Sequence, residues 1–221
     1  MIVAEQKPIE EILESIKDCR RLLLLGCRGC VTVCAAGGQK EVEVLSGLLR
    51  LAREKEGRPL AVEEATLERQ CDPEFFDGIA ELAAKNGVVL SMACGAGVQL
   101  AAEQLDRVQV LPAVNTLFIG AAEEKGAWSE RCQACGDCKL AVTAGICPVS
   151  RCSKSLMNGP CGGSTDGHCE LDADTPCGWQ LIVERLEAQG LLDRYEEIQE
   201  PADWSNARDG GPRKVVREDL K

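Results

Sequence analysis

The chain has 221 residues, is 45% hydrophobic and 3% aromatic, and carries a formal net charge of −11. That allows one large domain or two small ones with a real apolar core. So acidic a chain repels phosphate backbones, and so few aromatics make a poor base-stacking platform, which argues against nucleic-acid binding. No apolar run approaches the ~20 residues that span a bilayer, so no membrane role is expected.

From Pro8 to Asp18 the apolar residues Ile9, Ile12, Leu13 and Ile16 recur at helical spacing. Leu22 to Leu25 form a continuous apolar run, as in a strand buried on both faces. Gln39 to about Lys55 reads as a long helix, with Val42, Leu45, Leu48, Leu49 and Ala52 on one face. Leu60 to Glu64 reads as a second strand. Pro73 to Asn86 reads as a helix, with Asp72 as N-cap, Pro73 at its first position and Gly87 as its end. Val88 to Met92 is a third strand, Ala96 to Leu105 a helix and Val108 to Leu111 a fourth strand. Alternating strands and helices predict a mostly parallel sheet with helices on its faces. The expected fold is α/β, with a small doubly wound domain over about residues 1–120.

Fourteen residues are cysteine. Cys27, Cys30, Cys34, Cys71 and Cys94 form one group; Cys132, Cys135, Cys138, Cys147, Cys152, Cys161, Cys169 and Cys177 form another; Cys19 stands apart and reads as an apolar filler. The start, MIVAEQKPIEEI, lacks a basic stretch followed by an apolar one, so a reducing, cytoplasmic setting is expected and disulfides are not. Zinc often mixes histidine with cysteine, and His168 is the only histidine. Iron–sulfur clusters take four thiolates and no histidine, which suits this composition best.

In the first domain, Cys27, Cys30 and Cys34 follow strand one, Cys71 follows strand two and Cys94 follows strand three. Open parallel sheets bind ligands beyond the carboxyl ends of their strands. Neighbouring strands lie ~4.8 Å apart, so these loops can meet around one [4Fe–4S] cluster. One of the five must be a spectator, and Cys71 is the choice because its loop carries no second cysteine. Two alternatives stay open. Cys27-Arg28-Gly29-Cys30 could be a thioredoxin-like dithiol. Gly95 and Gly97 could form a phosphate-binding turn, although Leu100 breaks the full glycine fingerprint. More simply, Gly95 lets the backbone approach a cluster, with the amides of that helix start aimed at its sulfurs.

A second, cysteine-rich domain is expected over residues 126–199. It opens Cys132-x2-Cys135-x2-Cys138-x8-Cys147-Pro148, similar to a bacterial ferredoxin run with a longer last gap. Order along the chain does not assign ligands in such runs. The eight thiolates suit two [4Fe–4S] clusters, or one cluster and one all-cysteine zinc site. NGPCGGSTDG supplies permissive backbone for wrapping a metal. Apolar residues are sparse here, so metal is expected to form the core. Trp179 to Tyr195 reads as a helix with Leu181, Ile182, Leu186, Leu191 and Leu192 apolar. Residues 200–221 read as an extended tail, either free or docked on a partner around Trp204.

GCRGCVTVCAAGG (26–38), LSMACGAGVQ (90–99) and CGDCKLAVTAGICPVSRCSKSLMNGPCGG (135–163) resemble the small subunit of acetogen-type methylenetetrahydrofolate reductases. The later segment resembles the methylenetetrahydrofolate reductase C-terminal domain family. The resemblance implies an iron–sulfur electron-transfer subunit with no catalytic residue of its own, and the cysteine count allows two or three [4Fe–4S] clusters. It implies a flavin-containing reductase partner carrying FMN or FAD, a ferredoxin or larger redox complex as donor, and a place in one-carbon metabolism such as the Wood–Ljungdahl pathway. The alternative is a zinc or iron–sulfur adaptor that docks the reductase without redox turnover.

Overall fold

The computed structural model describes residues 1–220. The chain forms two units, Met1–Phe118 with Glu124–Gly126, and Ile119–Glu123 with the residues from Ala127 on.

The first unit runs β1 (Ile2–Gln6), α1 (Ile9–Ser15), β2 (Arg21–Cys27), α2 (Cys30–Val33), α3 (Gln39–Lys55), β3 (Ala61–Leu67), α4 (Ile79–Asn86), β4 (Val88–Ser91), α5 (Gly95–Gln104) and β5 (Gln109–Pro112). Strands β3-β2-β4-β5 form a parallel sheet in that order. Leu22, Leu23, Leu24 and Leu25 of β2 are all fully buried, as a continuous apolar run in a doubly covered strand requires. Burial of each contributes about 2 kcal/mol. Side chains alternate across the sheet. Leu23 and Leu25 pack with Val89 beneath Ile79 and Ala83 of α4 and Ala101 of α5. Leu22 and Leu24 point to the other face, where α3 packs on β2 and β3. A Cβ at Gly26 would lie 2.6 Å from Val42 Cγ2, so a side chain there would push α3 off the sheet.

The strand order reverses at β2. From β2 the chain moves outward to β3, then returns past β2 to β4. The crevice between β2 and β4, at their carboxyl ends, is therefore the topological switch point where such sheets take ligands. Cys27 ends β2, and Cys94 lies three residues beyond β4.

Several local features differ from the sequence reading. Val42, Leu45 and Leu49 of α3 are buried, but Leu48 is half exposed with Val44 and Leu51. The expected helix from Pro73 to Asn86 is broken. Asp72 caps only a 3₁₀ turn at Pro73–Phe76, accepting from the Glu74 amide at 3.3 Å. Gly78 then turns at φ 77° and α4 begins after it, while Gly87 ends α4 at φ 78° as expected. β1 was not anticipated; it lies in a separate sheet beside β6 (Val114–Glu124), which runs on into the second unit.

The second unit continues from β6 through a turn at Gly126 to β7 (Ala127–Cys132). A short α6 (Pro148–Arg151), an antiparallel pair β8 (His168–Cys169) and β9 (Asp172–Pro176), and α7 (Gly178–Ala188) follow. An apolar core is present after all: Ile146, Trp179, Ile182 and Leu186 are buried together, with Leu156 and Leu191 against them. Trp179 Nε1 donates to the Leu156 carbonyl at 2.8 Å, and Tyr195 meets the Trp179 ring edge-on. α7 stops at Ala188, short of the expected Tyr195, because Gly190 turns at φ 67°; Leu192 is then exposed. The tail packs on its own unit. Ala207 is buried, and Arg213 Nη1 donates to the carbonyls of Ala134 and Asn206 at 2.6 and 3.1 Å. Among the described residues, no helix is long and apolar enough to cross a membrane.

Candidate metal centres

The parallel sheet positions the first cysteine group. Cys27 is the last residue of β2, Cys30 the first of α2, and Cys94 the N-cap of α5. Cys71 lies just past β3, beside the fully buried Gln70. The Gln70 side chain donates to the carbonyls of Leu25 and Gly26 at 2.8 and 2.9 Å and accepts from Ser91 Oγ at 2.7 Å. The ends of β2 and β4 are thus tied to the loop after β3. Burial pushes the Cys27 thiol up. Hydrogen bonds from the Gln70 and Gly29 backbones to its sulfur oppose that, and charge on Cys71 or Cys94 adds to it. Cys27, Cys71 and Cys94 therefore share one electrostatic neighbourhood.

Cys34 is placed differently. It is buried, and its Sγ lies 3.6 Å from both the Cys30 and Val31 carbonyls, as a donor to its own helix. The glycines here serve packing. A Cβ on Gly97 would sit 2.8 Å from Ala93 Cβ and 3.0 Å from Gln70 Cβ, so Gly97 lets the Gln70–Cys71 loop rest on α5. The Gly95 amide donates to Thr116 Oγ1 at 2.8 Å, so that first amide of α5 is engaged by a hydroxyl and not free to face a sulfur. Cys19 is only partly buried, less than an apolar filler would be.

In the second unit the eight cysteines sort into two sets of four, in chain order. Cys132, Cys135, Cys138 and Cys147 line one cavity of about 270 Å³. Cys152, Cys161, Cys169 and Cys177 line another of about 20 Å³. Backbone amides already address two of these sulfurs: Ala134 donates to Cys132 Sγ at 3.3 Å and Gly163 to Cys161 Sγ at 3.4 Å. The half-buried Cys169 thiol is held below its usual range by Ser153, then by nearby backbone.

The backbone supplies a signal that composition did not. Five non-glycine residues have positive φ: Ala35, Ala134, Ala144, Ser155 and Asp166. Each lies within three residues of a cysteine. This conformation is costly for a residue with a Cβ, and it turns successive amides into one concave nest that suits an anionic sulfur.

In the second unit an all-thiolate metal centre fits the donor set: four cysteines to a cavity, amide donors on sulfur and left-handed turns at Ala134, Ala144, Ser155 and Asp166 beside the cysteines. Among the described residues, no three His, Cys, Asp or Glu side chains are gathered closely enough to hold a metal ion. The thiols line each cavity without being drawn onto one point.

Comparison with known families agrees with this cysteine-rich half. Residues 111–205 match the family described as methylene-tetrahydrofolate reductase C terminal. The match spans β6, both four-cysteine cavities, α7 and the first turn of the tail. No curated protein matches the chain. A solved amino acid ABC transporter substrate-binding protein from Pseudomonas fluorescens Pf-5 aligns at 14% identity with a TM-score of 0.30, covering 46% of this chain and 26% of that one. A likeness that slight carries no argument about fold or function.

Proposed function

We propose that this chain is the iron–sulfur electron-transfer subunit of a methylenetetrahydrofolate reductase complex, passing electrons to the flavin of a partner reductase subunit. The observation that carries the reading is the division of eight cysteines, inside the segment of reductase-family character, into two four-thiol cavities. The roomier cavity suits a [4Fe–4S] cluster. The smaller has space for about one water-sized sphere, which suits a single tetrathiolate ion such as zinc. The group at the sheet edge would hold a further [4Fe–4S] cluster.

Bound there, iron–sulfur clusters supply one-electron transfer at potentials set by their surroundings. The chain's own residues would do the setting. The amides of Ala134 and of Gln70 and Gly29 stabilise negative charge on the sulfurs of Cys132 and Cys27. Burial of Cys27 works the other way, disfavouring added charge. The partner's flavin would carry out the two-electron reduction of the folate-bound carbon, chemistry that thiols and clusters do not perform alone.

The small second cavity favours one competing reading for that set, a structural ion that shapes a docking surface. The test is co-purification with a flavin-containing reductase subunit, followed by anaerobic titration with a reduced low-potential dye. Flavin reduction should be much faster with this chain present. Equal rates with and without it would leave the adaptor as the better account.

A further inference from the structure

We infer that the ligands of the centre at the sheet edge are Cys27, Cys30, Cys71 and Cys94, and that Cys34 is the spectator. This rests on the iron–sulfur reading above and reverses the choice that spacing along the chain suggests.

Spacing groups Cys34 with Cys27 and Cys30, but the fold does not treat them alike. Cys34 and Cys27 are equally buried, but Cys34 Sγ faces two carbonyls of its own turn, whereas Cys27 Sγ faces the backbone amides of Gln70 and Gly29. Cys71 is exposed, so its sulfur is free to turn onto a neighbour. Its position is nonetheless set from inside. The adjacent Gln70 is fully buried and bonded to the ends of β2 and β4, the two strands that carry Cys27 and lead to Cys94. The Gln70 backbone also reaches Cys27 Sγ. Gly97 removes the side chain that would hold this loop off the start of α5, where Cys94 is the N-cap. Three strand ends therefore bring one cysteine each to the switch point, and Cys30 adds the fourth through its C-x2-C spacing from Cys27.

The assignment also accounts for the whole cysteine content. Three sets of four leave two of the fourteen cysteines, Cys19 and Cys34. Each has its own place, one in a separate pocket and one at the C-cap of α2.

The test uses the full chain, reconstituted anaerobically with iron and sulfide, with iron and acid-labile sulfide counted and low-temperature EPR recorded. Cys71→Ala alters an exposed position, so its fold should survive, as far-UV circular dichroism would check. It is expected to lose about four iron and four sulfide per chain and one EPR signal. Cys34→Ala and Cys34→Val together guard against a packing defect in either one. At least one should keep the wild-type iron, sulfide and spectrum. Loss of the cluster in both Cys34 variants, or its retention in Cys71→Ala, overturns the assignment while leaving the electron-transfer reading in place. A wild-type chain that takes up no iron defeats the electron-transfer reading, and this assignment falls with it.

Discussion

Ser91 Oγ donates to Gln70 Oε1 at 2.7 Å, inside the sheet and away from water, joining the end of β4 to the loop after β3. The same carboxamide donates to Leu25 and Gly26 at the end of β2. Replacing it with Gln70→Leu strands one hydroxyl and two carbonyls. Unsatisfied buried groups cost about 1–3 kcal/mol each, part of which water or relaxation recovers. Urea unfolding should show a loss of about 3 kcal/mol. A loss well under 1 kcal/mol would mean that the loop is held by something else.

The tail makes a second prediction. Arg213 holds the backbone on both sides of Gly136, bonding to Ala134 and Asn206. A Cβ on Gly136 would come within 2.5 Å of the Asn206 carbonyl oxygen, and Gly136 sits at φ 86°. The tail therefore lies directly on the Cys132–Cys138 loop. Arg213→Ala removes charge-assisted hydrogen bonds at an exposed site, worth about 1 kcal/mol, or roughly a 5-fold change in how often the tail lifts. Iron release to an added chelator should speed up by about that factor. An unchanged rate would show that the tail does not shield this loop.

Much of this arrangement was legible in the sequence, for identifiable reasons. The Leu22–Leu25 run could only be a doubly covered strand, and α3 spans Gln39–Lys55 as its periodicity predicts. Placement of cysteines after successive strands follows from that alternation. The break at Asp77-Gly78 was hidden because Asp72 and Pro73 form a convincing helix start on their own. β1 was missed because its five residues are short and half charged or amidated at one end. The two four-cysteine cavities depend on loop paths, and the left-handed alanines that shape those loops leave no mark in composition.

Cys19 gives a pH-dependent prediction. Burial raises its thiol above the ordinary value of 9.0; the Arg53 guanidinium opposes this and Asp18 adds to it. Only the thiolate reacts with alkylating agents, and a raised pKa lowers its fraction at pH 8. Mass-mapped labelling should find Cys19 slower than free cysteine at pH 8, with its rate still climbing as the pH passes 9. A rate that matches free cysteine and levels off with it would contradict this burial.

The central claim is that three sets of four cysteines hold two iron–sulfur clusters and one further metal ion. Anaerobic analysis of the reconstituted full chain tests it most directly, with iron, acid-labile sulfide and zinc counted against protein. The expected result is about eight iron and eight sulfide per chain, with about one zinc. Zinc in every site, with no acid-labile sulfide at any stoichiometry, would contradict it.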